Sequence, residues 1–150
     1  MTKSEQDTRD HIEKVRANLN DALHNLTKRA VLHDASKLEE PELSGYQGLS
    51  EALQGLTYGT PEHRAAFAPF KDIIAHHYAH NRHHPEHWPD GVNNMSLLDC
   101  IEMLADWRAA VSRSPDGDMQ KSMEVSRQRF DISDQLYAVL INTVRELGWD

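Results

Sequence analysis

The chain has 150 residues, a length typical of one domain, and a single cysteine, which excludes a disulfide framework and a multi-cysteine zinc site. Its formal net charge of −8 argues against broad binding to nucleic-acid backbones. No apolar run approaches the roughly 20 residues that span a bilayer, and the N-terminus lacks the apolar stretch of a secretory signal. We therefore expect a cytoplasmic protein without a membrane partner. Six of its ten histidines lie between positions 76 and 87, which makes a metal site the first hypothesis.

The apolar pattern predicts an all-α protein, because no segment alternates apolar and polar residues over the length of a strand. A first helix is expected from Ser4 or Thr8 to about Thr27, followed by a short apolar segment. The next helix is expected at 41–53, interrupted by Gly45 and Gly48, and a loop is expected at 55–60. The later helices are expected from Thr60 into the histidine cluster, at 96–112, at 119–129 and from 131 or 133 onwards. This predicts a single-domain bundle of six or seven helices over 1–150. Its metal-site core lies at about 8–110, and its last helices, 116–150, form a scaffold or a homodimer surface.

Two histidines of the first helix point in different directions. At about 100° per residue, the apolar face passes through Ile12, Val15 and Leu19. His11 falls at the edge of this face, whereas His24 falls nearly opposite and is expected in solvent. His11 is thus a candidate ligand, although its position on the helix alone favours a partly buried histidine that is hydrogen-bonded to a carboxylate.

The dipeptide His33-Asp34 follows the apolar run 30–32. A buried charge needs a partner or a metal, and neighbouring side chains on one helical turn are able to converge on the same ion. The alternative is a surface histidine–aspartate pair at a helix end.

The segment 76–87 (HHYAHNRHHPEH) is the strongest signal. On a continuing helix, His76 and His80 lie one turn apart, a spacing that suits two imidazoles on one metal. Pro85 is expected to end the helix and to leave His83 and His84 on the following turn. A metal role is favoured over an exposed pH-sensitive patch, with two or three of the six histidines outside the ligand set.

Three acidic residues, Asp99, Glu102 and Asp106, share one face of the predicted helix at 96–112. Such a stripe is usually solvated, but Met103 and Trp107 flank this one and suggest that it is partly covered. A carboxylate that faces inward is the natural oxygen ligand for a histidine-rich site.

The order of these residues resembles the HD-domain superfamily of metal-dependent phosphohydrolases, whose signature is His…His-Asp…Asp on a helical bundle. Segment 33–37 (HDASK) resembles the His-Asp-x-Gly-Lys element of the HD-GYP branch, 83–91 (HHPEHWPDG) its His-His-Glu…Asp-Gly stretch, and 104–110 (LADWRAA) its Ala-Asp element. A family of small phage and bacterial proteins is also similar over about residues 8–110. Ser36 replaces the glycine of the branch and the Gly-Tyr-Pro tripeptide is missing, which argues against hydrolysis of cyclic dinucleotides.

The resemblance implies one or two divalent transition metals, Mn, Fe, Co, Ni or Zn, with Mg also possible. The implied ligands of one ion are His11, His33, Asp34 and Asp106, and those of a second are His77, His83 and His84, with Asp34 bridging. The gap between His77 and His83 is short for the branch, so His63 remains an alternative to His77, and His76 and His80 also stay open.

The resemblance also implies the chemistry. Asp34 and Lys37 would be catalytic, with Lys37 neutralising a phosphate oxygen. Substrate contacts would come from Lys37, Asn81 and Arg82, while Glu102 would orient a histidine. The implied substrate is a phosphate ester of a nucleotide or similar small molecule. The alternatives are an inactive metal- or nucleotide-binding protein that acts through a protein partner, and an oxygenase-like protein with two irons.

Overall fold

The computed structural model describes residues 1–57 and 60–150, and the regular secondary structure of these residues is all helical, without a strand, which confirms the all-α prediction. The α-helices are α1 (Lys3–Leu32), α2 (Glu42–Leu53), α3 (Pro61–Ala65), α4 (Lys71–His80), α5 (Leu97–Val111), α6 (Met119–Arg129) and α7 (Asp134–Glu146). Short 3₁₀ helices lie at Ala35–Leu38, Ala68–Phe70, Pro85–His87 and Gly91–Asn94. None of the helices in the described residues has the length and hydropathy that a membrane crossing requires. Packing divides the chain into two compact units, 1–33 and 34–150.

The first unit consists essentially of α1. Thr2 caps the helix in a reciprocal pair with Glu5, in which the Thr2 hydroxyl accepts from the Glu5 N–H and the Glu5 carboxylate accepts from the Thr2 N–H. The helix continues about one turn beyond the expected end near Thr27, because the apolar run 30–32 extends it. No residue of α1 is buried. His11 and His24 are both exposed, and the role of His11 as a ligand stays a prediction.

The second unit has its apolar core where α5, α6 and α7 meet. Ser96, Asp118 and Ser133 cap these helices by accepting a hydrogen bond from a backbone N–H three residues later. The buried core residues are Val92, Cys100, Met103, Leu104, Met119, Met123, Ile132, Leu140 and Val144. The two C-terminal helices therefore bury their apolar faces against α5 and hold it in place.

Two details of α2 and α4 position the functional residues. We expected Gly45 and Gly48 to interrupt the third segment, but α2 runs through both. A Cβ on Gly45 would lie 2.6 Å from side-chain atoms of Ile73, so the glycine lets α2 and α4 pack closely.

The expected single helix from Thr60 to the histidines is instead divided into α3, a 3₁₀ turn and α4, since Pro69 cannot continue an α-helix. The expected loop at 55–60 includes residues 58 and 59, which lie outside the described residues.

Candidate metal centre

Asp34 begins the second unit in an unusual backbone conformation. Its φ of 55° and ψ of 16° lie in the left-handed region, which aspartate tolerates better than most residues. The Asp34 carbonyl accepts the Lys37 N–H at 2.9 Å, which starts the 3₁₀ helix Ala35–Leu38, and Lys37 Nζ donates to Asp34 Oδ2 at 2.7 Å. One carboxylate oxygen is thus held by Lys37, and the other, Oδ1, faces the histidines.

Three histidines converge on this carboxylate. Nε2 of His77 lies 3.3 Å from Asp34 Oδ1, and Nε2 of His83 lies 3.5 Å from the same oxygen. His84 Nε2 is 2.9 Å from His77 Nε2. Each of the four residues offers a donor atom within 4.8 Å of the others. We call Asp34, His77, His83 and His84 the inner cluster.

Two carboxylates determine which ring nitrogens face the inner cluster. Nδ1 of His77 lies 2.8 Å from an oxygen of Glu42, and Nδ1 of His83 lies 3.3 Å from an oxygen of Glu102. A ring nitrogen that bonds to a carboxylate must donate, so Nδ1 of His77 carries the hydrogen and its Nε2 presents a lone pair; the Glu102 carboxylate beside Nδ1 favours the same tautomer in His83. Metal-binding histidines are oriented by carboxylates in the same manner.

This geometry fits a cation. Nε2 of His77 and Nε2 of His83 both face the negatively charged Asp34 Oδ1, and a cation bound among these atoms would interact favourably with all three. Burial, reinforced by the neighbouring His83 and His77, lowers the pKa of His84 to about 3, and burial also lowers the pKa of His77. Both rings are therefore neutral at neutral pH, which is the form that binds metals.

Asp106 on α5 lies beside the inner cluster. A carboxylate oxygen of Asp106 is within 4.8 Å of one of Asp34, and the Asp106 charge acts electrostatically on His84. The structure thus brings together five of the predicted ligands: Asp34, His77, His83, His84 and Asp106. His11 and His33 belong to the first unit, and their assignment as ligands stays a prediction.

The two cations expected to contact substrate make contacts within the protein. Besides its ion pair with Asp34, Lys37 Nζ lies 5.0 Å from the centre of the Tyr46 ring. Arg82 Nε is 3.3 Å from Asp99 Oδ1, and its guanidinium lies over Trp88 at 4.6 Å. Lys37 therefore adjoins the inner cluster directly, whereas Arg82 is directed toward the start of α5.

Asn81 was also expected to contact substrate, which stays a prediction; in the structure it braces the site. The residue is buried, and its amide nitrogen donates to the His77 carbonyl and to Ser36 Oγ, both at 2.8 Å. Asn81 thereby links the end of α4 to the turn that carries Asp34.

Four histidines of the second unit are not members of the inner cluster: His63, His76, His80 and His87. His63 is in α3 with its ring 5.3 Å from that of Phe67, and His87 Nδ1 donates to the Tyr78 carbonyl at 2.8 Å. His76 and His80 remain on α4 and adjoin Glu42 instead.

Sequence reasoning missed Glu42. This fully buried residue accepts hydrogen bonds at 2.8 Å from His76 Nδ1, His77 Nδ1 and Ser36 Oγ. Burial alone raises the pKa of Glu42, but the hydrogen bonds from His76, His77 and Ser36 outweigh it and hold the pKa below its ordinary value. In the sequence nothing distinguishes Glu42 from its exposed neighbours Glu39 and Glu40, since only the packing of α2 on α4 buries it.

Replacing Glu42 with glutamine is expected to weaken metal binding about 10–100-fold, the usual effect of losing a group that orients a ligand. Glutamine keeps only one oxygen for the two imidazole N–H groups that Glu42 accepts; with its NH₂ toward His77, that ring has to move its hydrogen to Nε2 and loses the lone pair that faces Asp34, and with its oxygen toward His77 a neutral amide replaces the charged acceptor. Stability should fall by about 1–3 kcal/mol. Metal titration and urea unfolding measure the two effects. Glu51→Gln, at the exposed end of the same helix, is the matched control, and equal metal affinity in both variants would contradict the orienting role.

Fold and site together define an all-helical protein with a candidate metal centre of histidines and carboxylates. Residues 1–146 match DUF5662, a family of unknown function, and the chain belongs to this family. No curated protein matches the chain significantly, and no solved structure does.

Proposed function

We propose that this protein is a metal-dependent phosphohydrolase of the HD type, which cleaves a phosphate ester of a nucleotide or similar small molecule. One observation carries the proposal: the Nε2 atoms of His77 and His83 are turned by Glu42 and Glu102 toward a single oxygen of Asp34. Mixed imidazole and carboxylate donors favour Mn, Fe, Co, Ni or Zn over Mg.

The chain's own residues have distinct parts in this proposal. Bound divalent ions supply Lewis-acid activation of the phosphate ester and of water. Asp34 and Asp106 provide negative charge that attracts such ions, and Glu42 and Glu102 keep two histidines in the binding orientation. Lys37 Nζ, held 2.7 Å from Asp34 Oδ2, places a positive charge where a phosphate oxygen would approach the cluster.

The contacts of Lys37 and Arg82 favour the alternative function, an inactive binding protein. Both cations form ion pairs with aspartates of the same chain, Lys37 with Asp34 and Arg82 with Asp99. An enzyme needs a cation that leaves its ion pair and contacts the substrate phosphate. A protein that binds a metal or nucleotide without turnover, and acts through a partner protein, does not.

Phosphate release separates the two functions. Untagged protein loaded with Mn²⁺ or Zn²⁺ is expected to release phosphate from at least one member of a panel of nucleoside mono-, di- and triphosphates. Chelation with EDTA should abolish the release, and returning the metal should restore it. Metal bound at the inner cluster without phosphate release from any member of the panel would contradict the enzyme and support the binding protein.

A further inference from the structure

His76 and His80 form a pair on α4 that the inner cluster does not use. The two residues are one helical turn apart, and their rings stack with centroids 4.1 Å apart and planes 23° apart. The His76 side chain is 35% exposed and His80 is exposed, so the pair is open to solvent. Donor atoms of both rings lie within 4.8 Å of each other and of the Glu42 carboxylate.

Glu42 joins this pair to the inner cluster. Its Oε1 is 2.8 Å from His76 Nδ1, whereas its Oε2 is 2.8 Å from His77 Nδ1. Each carboxylate oxygen thus contacts a different histidine, one of the outer pair and one of the inner cluster.

The hydrogen bond of His80 indicates which of its nitrogens is available. His80 Nδ1 lies 2.8 Å from the His76 carbonyl oxygen. A carbonyl oxygen only accepts, so Nδ1 carries the hydrogen and Nε2 keeps its lone pair. His80 is therefore in the tautomer that binds a metal through Nε2.

The burial of Glu42 is a second, independent observation. An exposed histidine pair alone is common on helices, but here a carboxylate with no exposed surface lies directly against it. Negative charge that is removed from water is stabilised by a nearby cation. A divalent ion bound between Glu42 Oε1 and His76 Nδ1 would take the place of the hydrogen between these two atoms, which His76 would then carry on Nε2, and would supply positive charge on the Oε1 side of Glu42.

We propose that Glu42, His76 and His80 form a second, outer metal site for a divalent transition ion such as Zn²⁺. Two imidazoles and one carboxylate are a typical three-ligand set for zinc, with water completing the coordination. Mg²⁺ and Ca²⁺ prefer oxygen ligands and are not expected here. The outer site binds more weakly than the inner cluster, since His80 is exposed and only one ligand is buried.

The test counts Zn²⁺ ions bound by wild type and by single variants of the untagged, full-length chain, using calorimetric titration of metal-free protein. His80→Ala is expected to bind one equivalent fewer than wild type and to retain the tighter binding of the inner cluster. His24→Ala, which removes an exposed histidine from α1, is the matched control and should keep every equivalent. Mg²⁺ should give no corresponding signal.

A second variant, His76→Gln, shows whether the lost equivalent in His80→Ala results from a change in folding. His76→Gln should lose the same equivalent as His80→Ala, while circular dichroism shows unchanged helix content in both. If either folded variant binds as many Zn²⁺ ions as wild type with the same affinities, the outer site is wrong. This outcome leaves the proposed phosphohydrolase unaffected, because that activity depends on the inner cluster.

Discussion

Replacing Asp34 with asparagine is expected to remove most of the bound metal and to abolish phosphate release. The loss of metal affinity should exceed the roughly 10–100-fold effect of residues that only orient a ligand, because Asp34 Oδ1 is the atom that both His77 and His83 face. The metal-free variant should be at least as stable as metal-free wild type. An amide NH₂ in place of Oδ1 donates to an imidazole lone pair, where the carboxylate oxygen only repels it.

The chain contains a control aspartate that also has a positive φ. Asp131 also has a positive φ, 49°, and is exposed. Asp131→Asn makes the same chemical change in the same backbone region without touching the inner cluster, so its metal content and activity should match wild type. Elemental analysis and thermal unfolding with and without EDTA measure both variants. If Asp34→Asn keeps its metal, or loses stability equally with and without EDTA, Asp34 is not a ligand.

Replacing Asp106 with asparagine is expected to abolish phosphate release and to lower the metal content, while helix content by circular dichroism is unchanged. Asp106 lies in the middle of α5, where a capping role is excluded, and its carboxylate is within 4.8 Å of that of Asp34. Two neighbouring carboxylates repel each other less when a cation is bound between them.

Asp99 is the matched comparison, seven residues earlier on the same helix. From the sequence alone, Asp99→Asn should cost only a fraction of activity or stability. The structure predicts a larger loss of stability, because Asp99 is fully buried, accepts the Ser96 N–H at 2.8 Å and pairs with Arg82. We expect a loss of about 1–3 kcal/mol in the free energy of unfolding with metal content unchanged. If Asp99→Asn loses the metal and Asp106→Asn keeps it, the ligand on α5 has been assigned two turns too late.

Much of the helical structure was predictable because its signals are local. A cap such as Ser96 or Ser133 bonds to a backbone N–H three residues later, and these bonds hold wherever the helix packs. The bounds of α6 match the prediction for the same reason. The predictions were wrong about where helices are interrupted: α2 runs through two glycines, and Pro69 separates α3 from α4.

The candidate ligands were also chosen from the sequence, through the density of histidines and the order in which His-Asp, His-His and Asp106 occur. The sequence did not show which histidines join the inner cluster and which stay beside Glu42. On an unbroken helix His84 would lie above His80, but α4 ends at His80. His83 and His84 therefore follow the chain away from the helix to Asp34, while His76 and His80 stay beside Glu42.

The sequence by itself thus determined the all-helical class, most helix ends and the candidate metal ligands, all of which depend on residue type and short spacing. Only the tertiary structure decided that Glu42 is buried and orients His77, and that Asn81 braces the site. These contacts join residues more than 30 positions apart, such as Glu42 with His77 and Ser36 with Asn81. The Glu42 contact forms because Gly45 lets α2 pack closely on α4, and helical periodicity does not encode which helices meet or at what distance.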